Sequence, residues 1–352
     1  MPLTPDHPLL DGRTGSSPLV RAYRGDRPEV TPVWFMRQAG RSLPEYRALR
    51  EGNEMLEACL TPSLASEITL QPVRRHRVDA AIFFSDIVIP AKLAGVEVEI
   101  VPGKGPVFAN PIRTASDVLK LRPIDPDALE PITTAVARTV AQLGTTPLIG
   151  FAGAPFTLAS YLVEGGPSKD QQRARTLMYS DPQTWATLLN WCADISSEFL
   201  KTQVLAGASA VQLFDSWVGS LSEQQYVRRV APHSARAFYA LRGLDVPKVH
   251  FGVGSGEVLK AMHGIGADVM GVDWRIPLDE ANRRLGGGVP LQGNIDPALL
   301  GASWHVLEAH VLDVIERGKD APSHVVNLGH GVPPDTDPEV LTRIVELVHE
   351  QR

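Results

Sequence analysis

The stretch SAVQLFDSW, Ser209–Trp217, decides the fold. Its first six residues, Ser209–Phe214, form a near-continuous apolar run, with no alternation between apolar and polar positions. A strand with both faces covered reads this way, whereas a strand with one wet face alternates. The run stops abruptly at Asp215 and Ser216, so polar groups sit where the strand would end. On either side lie long amphipathic stretches, Asp181–Ala206 and Leu221–Gly243, which are expected as helices.

The same unit recurs along the chain. Comparable runs are Thr31–Met36, Asp79–Phe84, Pro147–Phe151, Pro247–Gly252, Asp268–Asp273, Val289–Gly293 and His324–Gly329, which makes eight candidate strands. Further helices are expected at Ser255–Ile265, Pro277–Leu285 and Asp296–Arg317, with Ser255 before Glu257 and Asp296 before Pro297 as start signals. Eight alternating units point to an α/β fold of the (β/α)8 TIM-barrel type. A doubly wound sheet is the alternative, but its GxGxxG signature would follow the first strand. Here RQAGR follows it, and the Gly-rich GVGSG, Gly252–Gly256, comes far later and in another form. One segment, VEVEIVPGKGPVFANPI near residues 96–112, alternates around Gly103–Gly105 and is expected as a β-hairpin outside the barrel. Residues 1–17, punctuated by Pro, Gly and Ser, are expected as a flexible extension, and residues 18–352 as one catalytic domain.

Composition narrows the function. The net charge of −6 argues against a generic nucleic-acid binder, yet leaves room for an anionic small ligand held by local arginines. The two cysteines, Cys59 and Cys192, belong to no CxxC or Cys/His array, so neither a disulfide framework nor a structural zinc site is expected. No apolar run approaches the ~20 residues that span a bilayer, and the start of the chain has no continuous apolar core of the signal-peptide kind. These features fit a cytoplasmic location, with no membrane or nucleic-acid partner.

Barrel enzymes carry their chemistry where the strands end. The residues that follow the runs are therefore the candidates. After the first come Arg37, Gln38, Ala39, Gly40 and Arg41. Two guanidiniums four residues apart suit carboxylates, each offering a planar fork of donors. They share a face if the segment is helical, while Gly40 permits a turn instead, and a pairing with Glu45 or Glu51 would make them structural. Asp86 sits between the apolar runs AAIFF and IVIP and reads as a catalytic carboxylate, a loop cap or a salt-bridge partner of Arg37. Tyr161 reads, unaided, as a core tyrosine and Ser216 as a turn cap. His330, flanked by glycines in NLGHGVPPDT, has open space around it.

The segments PVWFMRQAGRSLPEYR, IFFSDIVIP, GAPFTLASYLVEGG, QLFDSWVGSLS, LQGNIDP and NLGHGVPPDTDPE, in this order from about residue 30 to 340, together resemble the uroporphyrinogen decarboxylase family. Two departures stand out: Ser42 where the family usually has an aromatic residue, and Asp337 in place of a frequent proline. The resemblance implies a lyase of porphyrin and heme biosynthesis. Its substrate would be uroporphyrinogen III, a macrocycle whose four pyrroles each carry an acetate and a propionate. The four acetates would lose CO2 to give coproporphyrinogen III. It also implies no metal and no organic cofactor, and a homodimer. The roles it carries over are catalysis by Asp86 and Arg37, and substrate binding by Arg37, Gln38, Ala39, Gly40, Arg41, Asp86, Tyr161, Ser216 and His330.

Two rival readings have consequences of their own. A corrinoid- or thiol-linked zinc methyltransferase of the same barrel class needs a thiolate and histidines on a metal, and His250 in PKVHFGVG has no cysteine close by. A non-catalytic carrier of acidic tetrapyrroles would use the same arginines, but would avoid a carboxylate such as Asp86 beside a polyanion.

Overall fold

The computed structural model describes residues 2–351. Seven parallel strands form one sheet: β1 (Ala81–Ile82), β4 (Leu148–Gly153), β5 (Ala210–Asp215), β6 (Lys248–Gly252), β7 (Val269–Gly271), β8 (Leu291–Ile295) and β9 (His324–Leu328), in that spatial order. β2 (Val98–Val101) and β3 (Gly105–Phe108) stand apart as an antiparallel hairpin, with Val98 opposite Phe108 and Val101 opposite Gly105. The seven sheet strands fall on seven of the expected runs, and the hairpin falls within residues 96–112. The eighth run, Thr31–Met36, is extended but pairs through a single parallel bridge, Val33 with Val326 on β9. Its other edge meets the start of β1, where Asp79 N–H donates to Val33 O at 2.8 Å. Thus the segment joins both edges of the sheet and closes the barrel. It is not a regular strand, because Pro32 has no N–H and the Val33 N–H is taken by the Asp79 carboxylate at 2.7 Å instead of by a neighbouring carbonyl.

β4, β8 and β9 are buried along their whole length, as runs without alternation require. Polar groups cross the interior. Gln292 Nε2 on β8 donates to Gln212 Oε1 on β5 at 2.9 Å. These strands are not neighbours in the sheet, so the bond spans the barrel. Tyr23 O–H donates to Gln292 Oε1, and Trp34 Nε1–H donates to Tyr23. Met36 N–H donates to Asn327 Oδ1 at 3.0 Å, which anchors the end of the closing segment to β9.

The outer layer is helical. Asp181 caps the helix Pro182–Leu205, close to the expected Asp181–Ala206. Pro277–Leu285 is found as the helix Leu278–Leu285. Three expected helices differ. Leu221–Gly243 is two helices, Glu223–Arg229 and Ala231–Tyr239, broken at Val230 because Pro232 cannot continue a helix from the preceding turn. Asp296–Arg317 splits into a 3-10 turn, Pro297–Gly301, and the helix Trp304–Gly318. Of Ser255–Ile265, only Leu259–His263 is helical, because the Ser255 hydroxyl bonds back to Gly252 O and does not cap. Residues 2–17, expected as a flexible extension, contain no strand or helix but lie against the barrel. His7 is buried and bonds Val204 O at 2.9 Å, and Thr14 bonds Ser209 at 2.8 Å.

Candidate active site

The segment that closes the barrel ends in a tight turn, with Gln38 N–H donating to Phe35 O at 3.0 Å. Arg37 is the third residue of this turn, with φ +61°. Glycine or asparagine normally occupies such a position, because a side chain there is strained. Of the two arrangements open to Arg37 and Arg41, the structure has the turn, not a helix. Gln38 holds it in place. Its side chain is fully buried, accepts from Phe35 N–H and donates to Ala80 O, both at 3.0 Å. The expected pocket-lining side chain of Gln38 is therefore occupied in tying the turn to β1. Ala39 and Gly40 are half-buried in the same loop, and a Cβ on Gly40 would sit 3.0 Å from Arg37 O.

Gly331 faces this turn. A Cβ there would lie 2.3 Å from Arg37 Cδ, so the glycine after His330 makes room for the Arg37 side chain. Gly329 does the same for Trp274, whose backbone N lies 2.3 Å from where a Cβ would stand. The open space around His330 is thus filled by protein.

Asp86 follows β1. Its Oδ1 accepts from Val88 N–H at 3.0 Å. Burial pushes its carboxyl up from the ordinary value, while the Val88 N–H and the positive charge of Arg37 pull the other way. Among the described residues neither Arg37 nor Arg41 forms an ion pair within 4.0 Å, so Asp86 and Arg37 feel each other without touching. The Glu45 pairing considered for these arginines is taken by Arg75, which grips that carboxylate at 2.7 and 2.8 Å. Arg41 is exposed and lines an open depression of about 480 Å³ with Tyr46, Arg47, Ala48, Arg50 and Glu51. Burial pushes the Cys59 thiol up, and the nearby Asp86 charge adds to this while that of Arg50 opposes it.

Tyr161, on the helix Pro155–Glu164, meets Trp217 edge-on at 5.4 Å between ring centres. Burial, and then the Asp86 charge, push its hydroxyl up to about 12, so it stays protonated. Ser216 is half-buried at the end of β5 and makes no hydrogen bond among the described residues. Thr157 fixes this side of the site: its hydroxyl donates to Asp215 at 2.8 Å and accepts from Trp217 N–H at 3.3 Å. On the opposite side His330 meets Trp274 edge-on at 6.4 Å. Burial first, then the charges of Arg37 and Arg275, push the imidazole down to about 4. At neutral pH His330 is therefore uncharged.

The charge of Arg37 acts on Asp86, Tyr161 and His330, and that of Asp86 acts on Tyr161, so these four lie near one another at the strand ends. Trp217 packs on Tyr161, Trp274 on His330 and Arg275 on Trp274, and none of the three was singled out in the sequence as a site residue. Only the adjacency of Trp217 to Ser216, and of Trp274 to a strand end, hinted at them. Among the described residues no group of three or more His, Cys, Asp or Glu side chains could hold a metal ion, and His250 lies buried with Nε2 3.8 Å from Asp215.

The model of the family described as "Uroporphyrinogen decarboxylase (URO-D)" matches residues 14–351. The chain belongs to the uroporphyrinogen decarboxylase family. A relative in this family, the uroporphyrinogen decarboxylase of Arthrobacter sp. (strain FB24), is 67% identical and covers 97% of this chain and 99% of its own. The uroporphyrinogen decarboxylase of Leifsonia xyli subsp. xyli is 64% identical, with 99% and 98% covered. Among solved structures, a methyltransferase from Methanosarcina mazei superposes with TM-score 0.79 at 17% identity, covering 96% of this chain and 98% of that one. At that identity the likeness shows a shared fold, and the uroporphyrinogen decarboxylase family is accordingly a barrel family. Ser42 and Asp337, the two departures from the family pattern, make none of the contacts described for Asp86, Arg37, Tyr161 and His330. Ser42 is buried, and Asp337 caps the helix Pro338–Glu350 through Glu339 N–H at 3.0 Å.

Proposed function

We propose that this chain is a carboxy-lyase that removes the four acetate carboxyl groups of uroporphyrinogen III, giving coproporphyrinogen III and CO2 in porphyrin biosynthesis. The observation that carries the reading is Asp86, a lone carboxylate set beside an unpaired Arg37 at the strand ends of a chain of this family. Losing CO2 leaves an electron pair on carbon, and the pyrrole itself can receive it. A proton adds to a ring carbon and makes the ring cationic. The bond to the carboxylate then breaks, its electron pair enters the ring and CO2 departs. The exocyclic carbon takes a proton and the ring carbon returns one, so each acetate consumes one proton net. No step calls for a metal or an organic cofactor.

In this scheme ionised Asp86 accepts from the pyrrole N–H groups and offsets the developing positive charge, a preorganised electrostatic effect. Arg37 holds the reacting acetate, and Arg41, further out, holds another carboxylate arm. Tyr161 stays a hydroxyl donor. His330, neutral at physiological pH, adds no third positive charge beside a cationic ring and serves as a hydrogen-bonding edge. Ser216, with the backbone at Ala39 and Gly40, completes the contacts to the substrate.

The test is anaerobic incubation with uroporphyrinogen, without added metal or cofactor, followed by chromatography of the products. Loss of four carboxyl groups is expected. Recovery of unchanged macrocycle would leave a carrier and sink the decarboxylase reading. The family reading also carries a homodimer in the cytoplasm. No helix among the described residues is long and apolar enough to cross a membrane. Sedimentation equilibrium checks the dimer, with twice the 38.2 kDa chain mass expected.

A further inference from the structure

Arg275 lies outside every motif that points to the family. Its guanidinium lies over the Trp274 indole, 3.9 Å from the ring centre, and its Nη1 meets the Asp273 carboxylate at 2.5 Å. Asp273 is fully buried and also accepts from Gly254 N–H at 2.6 Å and Arg275 N–H at 3.3 Å, so the carboxylate is fixed by three donors. One face on an aromatic ring and one corner on a fixed carboxylate leave the guanidinium little freedom. Trp274 in turn packs on His330 and against Gly329, which joins this shelf to the loop that accommodates Arg37.

Arg275 combines this fixed position beside Trp274 and His330 with a free edge. Three arginines present the Nε/Nη2 edge to a carboxylate: Arg75 to Glu45, Arg236 to Asp194 and Arg283 to Glu280. Arg275 uses Nη1 alone, and its Nε and Nη2 make no hydrogen bond among the described residues. The side chain is 51% exposed, and the Trp274 ring it covers meets His330 edge-on. The open edge is the one that takes a carboxylate by two parallel bonds.

We propose that Arg275 is a specificity-determining residue whose free Nε/Nη2 edge takes a carboxylate arm on a ring other than the one reacting. This rests on the proposed function and deepens it. The shelf is held ready before substrate arrives, so binding orders little and the gain appears as affinity. The reacting acetate stays with Arg37 and Asp86, so the chemical step does not involve Arg275.

The probe is uroporphyrin, the oxidised eight-carboxyl macrocycle, titrated by quenching of tryptophan fluorescence. Steady-state assays with uroporphyrinogen run alongside. Arg275→Gln is expected to weaken uroporphyrin binding and raise KM about tenfold, with kcat within about twofold of the unaltered protein. Arg275→Lys keeps the charge without the fork and should recover only part of the loss. Because Arg275→Gln leaves Asp273 buried without its cation, the double variant Asp273→Asn with Arg275→Gln is measured too and should show the same tenfold weakening with a restored melting temperature. Coproporphyrin, with four carboxylates, identifies the arm: an equal loss assigns a propionate, and a loss confined to uroporphyrin assigns an acetate. Unchanged affinity in the double variant, or a fall in kcat at constant KM, would overturn the proposal. Turnover by the unaltered chain is a separate readout, so failure of the decarboxylase reading is seen without reference to Arg275.

Discussion

Arg37 adopts φ +61°, and few side chains are placed there without compensation. The compensation is local: Gln38 pins the turn on both sides, and Gly331 leaves the space that the aliphatic part of Arg37 fills. Gly331→Ala is therefore expected to displace Arg37 while leaving the strands in place. Turnover of uroporphyrinogen should fall by at least ~10²-fold, as for loss of a preorganised charge, with little change in far-ultraviolet circular dichroism. Full activity in that variant would mean that Arg37 need not lie against residue 331. Asp86 supplies the complementary prediction. Its carboxyl titrates above the ordinary value because burial disfavours the charge, so ionised Asp86 costs the fold stability above that pKa, and nothing below the unfolded value. Asp86→Asn should lower kcat by ~10²-fold or more and at the same time raise the melting temperature at neutral pH. The acid limb of kcat/KM should lie above the usual aspartate range, with activity lost as pH falls through it. A variant both active and less stable would contradict both halves of this account.

At the scale of elements, the helix Pro155–Glu164 and the loop after β5 carry Tyr161, Ser216 and Trp217, and one hydroxyl joins them. Thr157→Val keeps the shape but removes the donor to the buried Asp215 and the acceptor for Trp217 N–H. We expect a loss of about 1–3 kcal/mol in urea unfolding and a several-fold fall in kcat/KM. Unchanged unfolding would show that Asp215 finds another donor. Such links explain what could be read from the sequence and what could not. Strands buried on both faces leave continuous apolar runs, so the sheet strands were legible, and a guanidinium or carboxylate placed directly after a run was legible as a candidate. The limits were set by single residues. Pro32 reduces the closing segment to one bridge, and Pro232 breaks a helix that periodicity carries through. Gln38 reads as a pocket residue because its bonds to Phe35 and Ala80 come from the turn geometry, not from the local pattern. Gly329 and Gly331 read as space for a ligand, whereas the atoms that fill it belong to Trp274 and Arg37, which are remote in sequence. Arg275 had no signal at all, since its meaning depends on which edge its partners leave free.

For the molecule as a whole, stability should turn on imidazoles buried without charge. His324 lies wholly inside, with Nε2 bonded to Gly293 O at 2.6 Å, and burial pushes it down to about 4; His76 and His330 are likewise pushed to about 4. In the unfolded chain each would titrate near the ordinary value of 6.5. Above that pH both states leave these rings neutral and their contribution is complete. As pH falls below it the unfolded chain binds protons that the fold refuses, so stability drops until about pH 4, where the folded rings also accept them. A single fully buried ring shifted this far contributes on the order of 3 kcal/mol across the window. His349, raised by its contact with Asp79 at 2.8 Å, has the opposite sign: its contribution is present below the unfolded value and fades as pH rises through the folded one. Burial also pushes down His7, His233 and His310, so one ring gaining stability stands against six losing it, and the net is a loss toward acid. Urea unfolding at closely spaced pH values should show free energy falling from about pH 6.5 toward pH 4, steepest where the unfolded rings titrate. The same series on His349→Gln should steepen that fall, because the opposing imidazole is gone. A flat profile in both proteins would mean that the buried rings are already charged in the fold.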